Sequence, residues 1–514
     1  MSVTVHGRKR HPALITGSAM LASLLYSIDW TIAAVALPHM QGTFSATQDQ
    51  VAWVITSYIV ASAIMIPTAG WLSARFGRKR LFVCAVAGFT GASAVCGAAS
   101  SLTMEVVARI VQGMSGAFII PLAHAIILDT YPPEQQGKAM AMWGAGWVFG
   151  SVIGPTLGGY LTEYFSWRDI FYINVPFGLL ALTGGLLFLP DTERDPTRRL
   201  DWFGFLALAV GIGSLQMMMD RGQRLDWFES EEIVVLACLS VLGMYLFVVH
   251  TLTAPAPFLD PHLIGRRSYI VSLLLISVYG LVTLPPMILM PAFLEHLRGF
   301  SIDAVGMLQS PRGAGLLLAL IIGGQVTGKV DPRLLIAFGL LCLAFSNWEM
   351  SGWTAEVAEW PIVWTGFLQG VGAGIVLVPI QMIAFRVLEP HQRTDAAAVF
   401  NLVRSVFSSI GVSLALTLFV VTTTTDRARL IEYVSPFSVG LRYQSGYTTG
   451  TGHGLAMLER EIEQQAAMTG YNTVFFSIAL AALAALPLVL LVGRPPKTTG
   501  SAPLDHQEKL VIGE

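Results

Sequence analysis

Fourteen apolar runs, each about as long as a bilayer is thick, leave this chain little choice but a polytopic helical fold. They lie near 13–37, 50–73, 79–99, 102–128, 138–161, 168–189, 202–220, 231–251, 268–294, 304–326, 333–351, 360–385, 395–422 and 471–492. A hydrocarbon core about 30 Å thick is crossed by about 20 apolar residues of helix, whereas a barrel strand needs about ten with strict alternation. None of the runs alternates. Only 12% of the 514 residues are charged, against about 25% in an average soluble domain. That excludes a soluble enzyme, a disordered chain and a nucleic-acid binder; a net charge of −2 supplies no basic stripe for phosphates. The first run is too long for a cleavable signal and lacks a small-residue cleavage site. Cys84, Cys96, Cys238 and Cys342 fall in apolar runs without a CxxC pair. They read as small core residues, so no disulfide, metal site or cofactor is expected.

Charge asymmetry tests the count. If fourteen spans return both ends to one side, twenty of the 31 Lys and Arg fall in loops on that side, eight on the other, and Arg109, Arg312 and Arg404 inside runs. Positive loops stay in the cytoplasm, so both termini are expected there. Removing one span would flip every later loop and spoil the bias.

The halves echo each other. Gly70-x4-Arg75-x3-Lys79-x-Leu81 recurs as Gly324-x4-Lys329-x3-Arg333-x-Leu335, and Gln112-Gly113 with Pro121 as Gln369-Gly370 with Pro379. Both copies face the same side, which is the parallel repeat of a transporter made of two six-helix bundles with a midplane substrate site. The expected organisation is a bundle over 1–190, two extra membrane helices within 191–260, and a second bundle over 261–497 carrying an outer loop at 423–470. A cytoplasmic tail at 498–514 follows.

At this level of detail the chain resembles the fourteen-helix drug:proton antiporters of the major facilitator superfamily, the EmrB/QacA type. Gly70-Trp-Leu-Ser-Ala-Arg75-Phe-Gly77-Arg78-Lys79-Arg80 is similar to the loop signature between helices 2 and 3. Arg109-Ile-Val-Gln112-Gly113 is similar to the basic motif of helix 4, and Gly146, Gly150, Gly154-Pro155 and Gly158-Gly159 to the antiporter motif of helix 5. Asp29-Trp-Thr31 through Pro38, Trp167-Arg168 with Asn174 and Pro176, and Asp226-Trp227-Phe228 match further motifs of that branch. Two positions depart: Ala74 stands where the loop signature carries an acid, and Ala34 where the helix 1 motif often carries Asn. The resemblance implies a secondary transporter, not an enzyme, that exports hydrophobic or amphipathic drugs in exchange for protons across a bacterial inner membrane by alternating access. A proton-coupled uptake symporter of the same fold is the alternative, which the helix 5 glycines argue against.

The residues themselves suggest roles. Asp29 is the one carboxylate well inside the first half's membrane region, where a charge must pair or hold a proton. Counting from the helix ends puts Asp29 and Arg109 at a common depth of roughly 10–12 Å, so the two are expected to interact and couple protons. The glycines at 146, 150, 154 and 158 share one helix face and admit close packing, and Pro155 loosens that helix. The resemblance implies a gate latch from Gly70, Arg75, Gly77 and Arg78 with Asp129 as charge partner. Gln112, Arg312, Asn401 and Arg404 are candidates for the substrate cavity, and the excess of intramembrane arginines favours neutral or weakly acidic amphipaths. His124 reads as a packing or cavity residue. Gly323-x4-Gly328-Lys329 mimics a phosphate loop, but Val330 replaces the required hydroxyl.

A partner is also expected. In the 423–470 loop, Leu455, Leu458, Ile462 and Ala466 recur at helical spacing, as in a short amphipathic helix that docks a protein or lies on lipid. The resemblance implies a periplasmic adaptor there, joined to an outer-membrane channel.

Overall fold

A computed structural model describes residues 12–192, 194–195, 200–255, 257–258, 265–326, 330–385, 388–389, 392–434 and 452–492, with two short strands before them. The expected 498–514 tail, Lys329 and the centre of the 423–470 loop lie outside the described residues. Among the described residues, thirteen helices are long and apolar enough to cross a membrane: α1 Pro12–Phe44, α2 Gln50–Phe76, α3 Arg78–Gly97, α4 Leu102–Thr130, α6 Asp169–Phe188, α7 Trp202–Leu225, α8 Glu231–Thr253, α9 Arg267–Leu297, α10 Ala304–Val326, α11 Pro332–Met350, α12 Glu359–Phe385, α13 Arg393–Glu432 and α14 His453–Leu490. The remaining long helix, α5 Pro133–Tyr164, has 32 residues, ample length for a fourteenth crossing. Two short strands, β1 Val3–Val5 and β2 Arg8–Arg10, pair antiparallel.

Local chemistry sets the helix ends. Thr47 and Gln50 form a reciprocal cap at the start of the second helix, Ser101 caps α4 and Asp201 caps α7. Each satisfies backbone donors that the first turn leaves free. Between α2 and α3 the chain reverses at Gly77 with φ of 88°, a conformation glycine adopts without strain. That turn delivers Arg78 to the first position of α3. Pro67 lies in a tightened turn, Ile66–Thr68, inside α2, and α4 changes course at Ala117 and Phe118 between two helical segments.

Helices α1 to α6 pack on one another, α9 to α14 do likewise, and α7 with α8 form a pair whose α7 lies against α2 and α13. The groups of six meet chiefly where α5 lies on α10 and where α2 and α4 lie on α13. Large apolar side chains point away from the protein all round, among them Val107, Leu180, Leu187, Val241, Leu252 and Leu480. A soluble monomer does not present such a belt; it is the lipid-facing surface. Cys84 and Cys238 lie on it, exposed, while Cys96 and Cys342 are buried. The reading of all four as core residues is corrected for the first pair, because in lipid an outward apolar position carries no penalty.

The expected loop at 423–470 needs correction too. α13 continues unbroken to Glu432 and α14 begins near Gly452, so the amphipathic stretch is the first part of the last membrane helix and not a separate element. Leu458 and Ala466 of its stripe are buried, while Leu455 is half exposed. Gly470 packs so closely on Phe419 and Thr423 of α13 that no Cβ fits between them. Arg427 and Glu459 pair at 3.1 Å higher up. Gln464 bonds the Leu297 carbonyl at the end of α9, so the twelve residues from Gln464 back to Gly452 project about 18 Å beyond it at 1.5 Å per residue.

Candidate functional site

The glycine face of α5 determines where the first buried charge sits. A Cβ at Gly150 would come within 2.8 Å of the Leu24 carbonyl, and those at Gly154 and Gly158 would run into Thr31 and Ile32. All three neighbours belong to α1. The stripe therefore packs α5 on α1 within the same half, while Gly144 on another face looks toward Leu320 of α10. Small residues let the backbones close up, and α1 so held carries Asp29 inward to zero exposure.

Asp29 meets a full set of donors. Arg109 Nη1 lies 2.8 Å from Oδ2, Gln112 Nε2 2.8 Å from Oδ1 and Asn174 Nδ2 2.9 Å from Oδ1. Arg109 also donates to Gln112 Oε1 at 2.8 Å and to the Val54 carbonyl at 3.1 Å. Its guanidinium stacks 4.2 Å from the Tyr58 ring centre. Gly113 makes that possible, since a Cβ there would strike the Tyr58 backbone. Asn174 reaches on to Ser93 Oγ at 3.0 Å, whose hydroxyl donates to the Phe171 carbonyl at 2.9 Å. Five helices, α1, α2, α3, α4 and α6, thus converge on one ion pair that is fully removed from solvent.

Chemically, this arrangement links protonation to movement. Asp29 accepts three hydrogen bonds and, among the described residues, no donor-accepting group faces it; adding a proton weakens its hold on the cation and turns one oxygen into a donor among other donors. Arg109 or an amide must then swing away. Losing one partner of a buried pair costs about 3–5 kcal/mol, so proton and helix packing cannot change independently.

A second cluster closes the face that carries the N-terminus. Asp129 at the end of α4 pairs with Arg78 and, at 2.6 Å, with Arg393 at the start of α13. Arg393 also donates to the Leu128 carbonyl at 3.1 Å, and Arg78 Nε to Thr394 Oγ1 at 3.0 Å. Gly70 packs directly on the Asp395 carboxyl, where no Cβ would fit, and Arg75 lies over Trp71 at 5.8 Å. Asp129 thereby joins the two halves through ion pairs. Arg393 was not singled out in the sequence; its place at the start of a span three residues after Pro390 is a weak signal.

The third cluster holds two contacts between the halves and one arginine within the second half. Arg404 of α13 sits 5.0 Å over the Trp147 ring of α5, and Asn401 Nδ2 is 3.4 Å from His124 Nδ1 of α4. Arg312 of α10 donates to the Thr283 carbonyl at 2.7 Å. Among the described residues neither Arg312 nor Arg404 has a carboxylate partner. Gln112, taken from the sequence as a cavity candidate, sits instead in the Asp29 network, one helical turn beyond Arg109 and on the same face.

The model of the Major Facilitator Superfamily matches residues 19–412. The chain belongs to that superfamily. It is 32% identical over 493 residues to the multidrug export protein EmrB of Escherichia coli K12, covering 95% of this chain and 96% of that one. It is also 32% identical over 496 residues to the fatty acid resistance protein FarB of Neisseria gonorrhoeae, covering 95% and 97%. Among solved structures, the proton:xylose symporter XylE superposes with a TM-score of 0.61 at 14% identity, covering 94% of this chain and 96% of that one. The human organic anion transporter MFSD10 does so at 0.60 and 16%, covering 92% and 100%. These two show the major facilitator fold. The resemblance to EmrB-type proteins and the all-helical architecture are thus as expected, and the chain is a transporter rather than an enzyme.

Within this superfamily member, sequence reasoning paired Asp29 with Arg109 by depth but missed the rest of the shell. Ala34 is exposed on another face of α1 and so takes nothing from the surroundings of Asp29, and Asn174 of α6 supplies the amide. A polar amide early in an apolar span is costly unless partnered, and that signal could have placed Asn174 in the network. Tyr58 and Ser93 gave no comparable signal.

Proposed function

We propose that this protein exports hydrophobic and amphipathic compounds across a bacterial cytoplasmic membrane in exchange for protons, with both termini in the cytoplasm. The observation that carries the reading is the buried Asp29–Arg109 pair with its three-donor shell, in a chain 32% identical to multidrug export proteins. A proton arriving at Asp29 loosens Arg109 from α1, and the halves rock; the Asp129 latch to Arg78 and Arg393 holds the cytoplasmic side shut in the opposite phase. The twenty-to-eight loop bias supports the orientation. The bundles over 1–190 and 261–497 are the rocking bodies, with 191–260 as an added pair.

The unpaired cations Arg312 and Arg404 favour weakly acidic amphipaths, because an anionic group between the halves would meet charge that the protein leaves uncompensated. The name of the FarB relative, a fatty acid resistance protein, agrees with that class. Export further involves an adaptor protein and outer-membrane channel. The support is the projecting pair of α13 and α14, whose Ile431, Tyr433, Leu455 and Met457 are exposed apolar groups, with the α14 pair on the far side of the bond from Gln464 to the end of α9.

The test uses sealed membrane vesicles with an imposed pH gradient. The wild-type chain moves a lipophilic compound against its gradient and stops when the pH gradient is collapsed; Asp29→Asn abolishes this movement. Gradient-independent transport, inward accumulation with protons, or full activity in Asp29→Asn overturns the reading. For the adaptor, Leu455→Glu with Met457→Glu leaves vesicle transport intact while cellular resistance and co-purification of the adaptor are lost.

A further inference from the structure

One buried charge near Asp29 has no part in the network described above. Glu105, in the first turn of α4, has zero exposure, and neither carboxyl oxygen has a hydrogen-bond partner. It lies on the same face as Arg109, one turn and about 6 Å nearer the face opposite the termini. The groups that act on it are Arg109 on its own helix, Cys96 of α3, Asp29 of α1 and Arg168 before α6. Both cations are committed elsewhere. Arg109 serves Asp29, Gln112 and Val54; Arg168 donates to the Ala99 carbonyl at 2.9 Å and stacks on Trp167 at 4.4 Å. A bare anion shut away without a donor is untenable, so in this conformation the Glu105 carboxyl carries a proton.

We propose that Glu105 is a second proton-carrying carboxylate, which receives protons from the face opposite the termini and passes them to Asp29 through a switch of Arg109. This rests on the proton-coupled reading of Asp29 and extends it. In the step, the O–H bond of Glu105 breaks and its electron pair stays on Glu105. The proton bonds to an Asp29 oxygen, and Arg109 leaves Asp29 for Glu105. Before and after, the region holds one cation, one carboxylate and one neutral acid, so no net charge is buried or released. Cys96 is close enough to both carboxyls to feel their charge, its thiol 3.7 Å from Gln112 Oε1. When Asp29 later gives its proton to the termini-bearing side, Arg109 returns to it and Glu105 takes a new proton.

Infrared difference spectra of the purified full-length protein in lipid test this without any substrate, the proton being the probe. The wild type shows a protonated-carboxyl band at neutral pH that disappears in Glu105→Gln and shifts in Glu105→Asp. The same band is lost in Asp29→Asn, since Arg109 is then free to pair with Glu105; a merely structural neutral acid would be unmoved by that change. After rapid acidification, Asp29 protonates about a hundredfold more slowly in Glu105→Gln, the low end of what a positioned proton-transfer group contributes. An unchanged Glu105 band in Asp29→Asn, or an Asp29 rate in Glu105→Gln equal to wild type, overturns the proposal. If Glu105→Gln does not fold, the band shift in Glu105→Asp and its loss in Asp29→Asn decide the matter. Failure of the broader reading looks different: Asp29 then shows no protonation change in any spectrum, and Asp29→Asn transports normally.

Discussion

Replacing Arg109 by Gln removes the cation and keeps a polar side chain of similar reach. Asp29 then retains the Gln112 and Asn174 donors at 2.8 and 2.9 Å but loses its counter-charge at zero exposure. Leaving the carboxylate ionised costs about 3–5 kcal/mol, the usual price of breaking a buried pair from one side. The other route, holding an ordinary aspartic acid protonated at pH 7, costs about 4 kcal/mol. Both routes give a similar loss, so the single variant is expected to lose about 4 kcal/mol. Asp29→Asn removes the pair from the other side: Arg109 must turn to Glu105, and the one amide oxygen of the new side chain cannot serve donors on both sides of the former carboxylate. The double variant Asp29→Asn/Arg109→Gln leaves a neutral network of amides and should be more stable than the sum of the singles implies, by about 2–3 kcal/mol, near the top of the range for directly interacting residues. Denaturant titration of the purified protein, followed by the fluorescence of its 12 tryptophans, measures all four corners of the cycle. Strict additivity would refute the coupling of these two residues.

Asp129→Asn cuts both ion pairs of the latch, whose side chains are 12 to 31% exposed; partly screened pairs contribute up to about 1 kcal/mol each. The closed population should fall by roughly 5–30-fold, read as faster labelling of a cysteine at Thr394; unchanged labelling counts against the latch. Gly150→Val pushes into the Leu24 carbonyl and Ser27 and should cost about 1–3 kcal/mol, while Gly144→Ala, 3.6 Å from Leu320, should be neutral in the same assay. Arg404→Gln should lower resistance to amphipathic acids about tenfold, equivalent to 1.4 kcal/mol of binding, and spare neutral compounds. Equal loss for both would remove the charge argument.

The number of long apolar helices and the pairing of Asp29 with Arg109 were legible in the chain, because each is a one-dimensional quantity. Span length follows from bilayer thickness, loop sign from charge, and depth from counting residues at a fixed rise. The glycine spacing on α5 was equally plain, yet its partner was not. A stripe states that some backbone comes close, and only the packed bundle identifies that backbone as α1, at Leu24, Thr31 and Ile32. Likewise, the outer part of the last span read as a separate amphipathic helix because polar residues end an apolar run. Packing on α13 keeps the helix continuous beyond the membrane, and no hydropathy pattern records that support.

The sequence by itself thus determined that the protein lives in a membrane, how many long apolar helices it forms and which charges must lie inside. Which groups satisfy those charges was decided by tertiary structure alone. Asn174, Gln112 and Tyr58 come from three helices, and Arg393 reaches Asp129 across 264 residues of chain. Glu105 shows the division most sharply. Its helix and position are written in the sequence, whereas its isolation depends on every neighbouring cation being engaged elsewhere. Hydrogen bonding is short-ranged and directional, so the state of a buried carboxyl is a property of atoms within about 3 Å of it and is set only once five helices have closed around it.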